Sequence, residues 1–167
     1  MKKYVKINPN YSPEERQIIH VFGHKNMVNY YLSLITCDML KRGSIHDDSK
    51  LYGKEKEQFI NVSNPKYSSL KYGTKEYSEA ITNNVKLAQR THYESNDHHP
   101  EHHENGIDDM DLVQILEMLV DWKVGGLAMD AGDIFKSIEI NKNRFGIDDQ
   151  LTKILINTAN KYFKEED

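Results

Sequence analysis

One cysteine stands in the 167 residues, so Cys37 has no partner for an internal disulfide and cannot by itself supply a thiolate metal cluster. Any metal must be held by nitrogen and oxygen. No apolar run approaches the roughly 18 to 20 residues that a bilayer span needs, and the first fifteen residues are too polar for a secretory segment. A cytoplasmic protein without a membrane partner is the expectation. No basic run stands out and the formal net charge is −4, which disfavours duplex nucleic acid as a partner, since phosphate neutralisation needs clustered cations. Strand-like alternation, internal repeats and low-complexity tracts are also missing. What remains, 38% hydrophobic and 29% charged residues, is a polar chain with enough apolar side chains for one core.

The patterns present are helical. Ser12-Pro13-Glu14-Glu15 predicts a helix start, with Ser12 as N-cap, Pro13 in the first turn and Glu15 closing a capping box. Phe22, Val28, Leu32, Ile35 and Met39 then recur mostly at steps of three and four to about Arg42, and Gly43 reads as the stop. Residues 45–61 predict one or two short helices interrupted at Gly53, and 61–73 a surface loop. Helix returns over about 74–94, followed by a polar loop around Pro100. Asp108 or Asp109 is the expected cap of the next helix, through MDLVQILEMLVDW to about Lys123. Gly125-Gly126 is expected to loosen the chain before a helix over about 134–143, and Asp148 to cap a last one to about Lys164. The reading is an all-α chain forming one domain over 1–167, with its core between about 12 and 164.

Charge is distributed unevenly. Residues 1–90 hold fifteen Lys or Arg against nine acids, whereas 91–122 hold nine acids, five of the eight histidines and no Lys or Arg. Carboxylates crowded beside histidines repel one another, and a divalent ion relieves that repulsion. His24 shares a helix face with Val28, Tyr31 and Ile35, which predicts an inward orientation. His46-Asp47 follows within SIHDDSK, where adjacent imidazole and carboxylate can reach one ion. Asp121 lies in MLVDW among apolar neighbours, and a buried carboxylate requires a cation, a strong donor or water. Glu117 precedes it by one turn on the same face. His92 and His98-His99 lie between, in HYESNDHHPEHH, where His102 and His103 read as loop histidines.

The order His, then HD, then a late helical Asp resembles the HD-domain superfamily of metal-dependent phosphohydrolases. More closely, GHKNMV, HDDSK, HYESNDHHPEHH, EMLVDWK, NRF and ILINT are similar to a small uncharacterised HD-like family of phages and bacteria, over about residues 20–160. The GYP signature of one branch is missing after the double histidine, where Pro100-Glu101 stands. The resemblance implies a helical bundle holding one or two divalent ions (Mn, Fe, Zn, Co, Ni or Mg). With the spacing, it assigns His24, His46, Asp47 and Asp121 to a first ion and His92, His98 and His99 to a second, with Asp47 as bridge. Lys50, one turn from Asp47, is the candidate to neutralise a substrate phosphate. Arg144 is a further candidate for substrate, and Glu55 stands between a site residue and an ordinary surface one. The expected activity is hydrolysis of a nucleotide or related phosphoester. A diiron oxygenase and a non-catalytic metal-stabilised binding module are the alternatives, and a homo-oligomer is left open.

Overall fold

A capping box starts the first helix. In the computed structural model the Glu15 N–H donates to Ser12 Oγ at 3.2 Å and the Ser12 N–H to Glu15 Oε2 at 2.8 Å, and α1 runs over Pro13–Ile45. The structure describes residues 8, 10–62, 75–127 and 133–163. Among these the regular elements are all helical: α1, α2 (Gly53–Val62), α3 (Lys75–Ser95), α4 (Leu112–Leu127), α5 (Ile134–Phe145) and α6 (Asp149–Tyr162), with 3-10 turns at Asp48–Leu51, Pro100–His102 and Gly106–Asp109. The protein is all-α. Asn61 and Val62 close α2, and the rest of the expected 61–73 loop lies outside the described residues. No described helix is long and apolar enough to cross a membrane.

The chain divides into two units, Met1–Ser44 and Ile45–Asp167. Nearly all of the described part of the first is α1, which has no buried residue; a helix without a second element in its own unit has nothing there to bury an apolar stripe against. His24, Val28, Tyr31 and Ile35, expected to face inward, are exposed in this unit. Gly43 does not stop the helix either. It keeps ordinary helical backbone while α1 continues to Ile45, because glycine inside a helix costs only about 1 kcal/mol.

In the second unit α2 lies against α3, α4 against α5, and α5 against α6. Leu119 from α4, Ile134 and Ile138 from α5, Ile147, and Leu155 and Ala159 from α6 form one buried cluster, with Trp122 and Phe145 packed beside it. The two rings stack at 6.4 Å. Full burial of each large aliphatic side chain contributes about 1.5–3 kcal/mol. Between α5 and α6 the chain turns at Gly146, whose φ of 64° suits glycine, and the Ile147 N–H reaches back to Lys142 O at 3.0 Å. Asp148 caps α6 as expected, accepting from the Leu151 N–H at 2.7 Å.

Two boundaries of α4 differ from expectation. Asp111 is its cap, with Oδ1 accepting from Val113 and Gln114 N–H at 2.8 and 2.9 Å. Asp108 and Asp109 fall in the preceding 3-10 turn, where Asp109 accepts from the Asn105 backbone. At the other end Gly125 and Gly126 lie inside α4, which continues to Leu127; two glycines do not outweigh an established run of helical hydrogen bonds.

Candidate metal centre

α4 has two working sides. Met118 and Leu119 are fully buried, while Glu117 and Asp121, four residues apart and so on one face, turn toward a cluster of imidazoles. His46 Nδ1 lies 2.8 Å from Glu117 Oε1 and His46 Nε2 lies 3.5 Å from Asp121 Oδ1. His98 and His99 follow α3 in a loop that is tied down on several sides. Gln114 Nε2 donates to Asp97 Oδ2 at 2.8 Å, His103 Nε2 to Asp97 O at 2.9 Å and His102 Nδ1 to Tyr93 O at 3.0 Å. His102 and His103 thus hold backbone carbonyls.

Asp47 has φ 60°, the one positive φ among the described non-glycine residues. Aspartate enters this left-handed region more easily than most side chains. Its Oδ1 lies 3.4 Å from His92 Nε2 and 3.7 Å from His98 Nε2, and His92 Nε2 is 2.8 Å from His99 Nε2.

Two groups of ligand atoms result, Asp47 with His92, His98 and His99, and His46 with His98 and Asp121, the atoms of each group within 4.8 Å of one another. Asp47 Oδ1 and His98 Nε2 are buried with no hydrogen-bond partner among the described residues. Leaving such atoms unsatisfied costs about 1–3 kcal/mol each. A cation held between them satisfies both, and a donor set of imidazole nitrogen and carboxylate oxygen suits divalent transition metals. The residues fit a metal.

The charges are already sorted. His46 is raised to about 9, first by its hydrogen bond with Asp121, then, against the cost of burial, by Glu117 and Asp47. Burial pushes His99 down to about 3, with the His98 and His92 rings adding to it, and burial beside His46 pushes His98 down as well. Burial opposes the charge on Asp47, yet Lys50, His46 and His92 hold its carboxyl below the usual range; Asp121 is held low against the same opposition, chiefly by His46. His98 and His99 are therefore kept as neutral imidazoles, the form that binds a metal.

The structure brings together His46, Asp47, His92, His98, His99 and Asp121. The expected partition has Asp47 as the bridge; here Asp47 groups with His92, His98 and His99, and His98 is common to both groups. His24 is exposed on α1 in the other unit and belongs to neither group. Lys50 pairs with Asp47 Oδ2 at 2.5 Å and lies over the Phe59 ring. Arg144 bonds to Glu101 and to the Tyr93 hydroxyl, and the Tyr93 ring is 4.9 Å from that of His99. Glu55 is no surface residue: it is 3% exposed, with Oε1 2.7 Å from His92 Nδ1. Glu117 is the residue the sequence does not assign, although its place one turn before Asp121 was the available signal. For Glu55, set in GKEKEQ, no periodicity marks burial.

An all-α protein with a His/Asp cluster suited to a metal ion is what fold and site define. Residues 14–161 match a family of unknown function, DUF5662, and the chain belongs to that family. No curated protein and no solved structure matches it.

Proposed function

We propose that this protein is a metal-dependent phosphohydrolase acting on a small phosphorylated substrate, a nucleotide or related phosphoester. The observation that carries the reading is the pair of adjoining His/Asp groups sharing His98, with Asp47 Oδ1 and His98 Nε2 left unsatisfied in their midst. The resemblance of His46-Asp47, the histidine cluster and Asp121 to the HD superfamily supports it. Held by these residues, a divalent ion would supply Lewis acidity toward a phosphoryl oxygen and acidify a water near neutral pH. The chain's own residues supply the rest. Lys50, already on Asp47, offers an ammonium to a phosphate oxygen beside the ligands, and Arg144 lies one residue removed from His99 through Tyr93.

The test is phosphate release from nucleoside mono- and triphosphates, cyclic nucleotides and a generic activated phosphoester, with manganese or cobalt present. Wild-type protein should release phosphate, and Asp47→Ala should fall to background. Release unaffected by that substitution would sink the proposal. Oxygen uptake by iron-loaded protein without phosphate release would instead indicate a diiron oxygenase, and silence in both assays a metal-stabilised binding module.

A further inference from the structure

We infer that Glu55 and Glu117 are positioning residues that hold histidines of the metal centre by Nδ1, so that Nε2 is the nitrogen offered to the ion; the inference rests on the metal reading above. A neutral imidazole carries its one proton on either nitrogen, and only the bare nitrogen can ligate. An acceptor at Nδ1 selects the form with Nε2 bare. His92 Nδ1 lies 2.7 Å from Glu55 Oε1. Asn96 Nδ2 is also near that nitrogen, at 3.0 Å, but its two hydrogens have acceptors in Ser49 Oγ and His92 O, each at 2.8 Å. The proton between His92 and Glu55 is thus the imidazole's own, and Nε2 turns its lone pair to Asp47 and His99.

Glu117 stands at the Nδ1 of two further rings. Its Oε1 lies 2.8 Å from His46 Nδ1 and 3.4 Å from His98 Nδ1, and the rings stand 4.4 Å apart. Both Nε2 atoms face the ligating carboxylates, His98 toward Asp47 and His46 toward Asp121, where the ion would take the place of the His46 proton. Glu55 comes from α2, a helix that contributes to neither ligand group, and among the described residues its buried carboxylate meets His92 through Oε1 while Oε2 has no hydrogen-bond partner. The Phe59 ring, on the same helix, meets His92 edge-on at 6.2 Å and limits tilting of the imidazole.

The test uses the full chain and cobalt(II) alone, with two readouts. Long-range proton–nitrogen correlation spectra of the metal-free protein report which nitrogen of each histidine is protonated, and titration with cobalt(II) reports affinity. Wild type should show His92 protonated at Nδ1 and should bind cobalt(II). Glu55→Ala should mix the His92 tautomers and weaken binding by about 10- to 100-fold, as loss of a partner to a ligating histidine generally does. Glu55→Gln, whose amide oxygen can still accept from Nδ1, should restore the tautomer and most of the affinity; it also serves if the alanine variant does not fold. Glu117→Ala should disturb His46 and His98 and leave His92 unchanged. Tautomer and affinity both unchanged in Glu55→Ala, or a Gln variant no better than Ala, overturns the positioning role while leaving the metal centre intact. Wild-type protein that binds no cobalt(II) overturns the metal centre, and the positioning role with it.

Discussion

His46 and His99 sit in one cluster and are driven in opposite directions, which makes the metal-free protein sensitive to pH on two sides. His46, raised to about 9, binds its proton more tightly folded than unfolded; its contribution is complete below about 6.5 and is lost as pH rises toward 9. His99, lowered to about 3, stays neutral while the unfolded chain protonates, so its contribution is present above about 6.5 and is lost as pH falls toward 3. His98 acts in the same sense as His99. The melting temperature of metal-free protein, followed by circular dichroism, should therefore peak near pH 6.5. Asp121→Asn removes the main support of the His46 proton and should flatten the alkaline limb; an unchanged alkaline limb would contradict the assignment. At this scale the histidines and aspartates were legible because their residue types carry the chemistry wherever they fall. The two glutamates were not, since their role depends on which ring nitrogen they meet in space.

α4 shows how an element can serve core and centre at once. Met118 and Leu119 fill one side while Glu117 and Asp121 serve the other, so whatever frays α4 also loosens two partners of His46. Its cap gives a direct check. Asp111→Ala should lower stability by about 1 kcal/mol, read as a lower urea midpoint, whereas Asp108→Ala, exposed and in the preceding turn, should change it by less than about 0.5 kcal/mol. Equal losses would return the cap to the earlier aspartates. Ser12 and Asp148 could be read as caps because each stands just before a helical run, Ser12 ahead of Pro13 and Asp148 two residues after Gly146. Asp108, Asp109 and Asp111 compete for one helix, and only the 3-10 turn that claims the first two decides among them. Glycines mislead for a related reason, since their intrinsic penalty is smaller than the cooperative gain of continuing an existing helix.

For the whole molecule, metal and fold are coupled through mass action. An ion that binds only the folded chain raises stability by about 2.7 kcal/mol at a hundredfold excess over its dissociation constant. Added manganese, cobalt or zinc should therefore raise the melting temperature and a chelator reverse it; a melt indifferent to both would remove the centre. His24→Ala is the informative variant in that experiment. A diminished shift would make α1 a contributor to the centre, and a full shift would confine the ligands to Ile45–Asp167. The all-α class was legible in the periodicity and capping signals, whereas the division at Ser44 was not, because the apolar side of α1 reads in sequence like that of any packed helix.

The backbone of Asp47 narrows what can ever stand there. Glycine and asparagine accept a φ of 60°, but neither brings a negative charge; glutamate brings the charge on a longer stem and without aspartate's ease in that conformation. No single replacement meets both demands. An Asn or Gly at this position would keep the turn and surrender the charge, so the backbone alone cannot tell whether a metal centre is kept there.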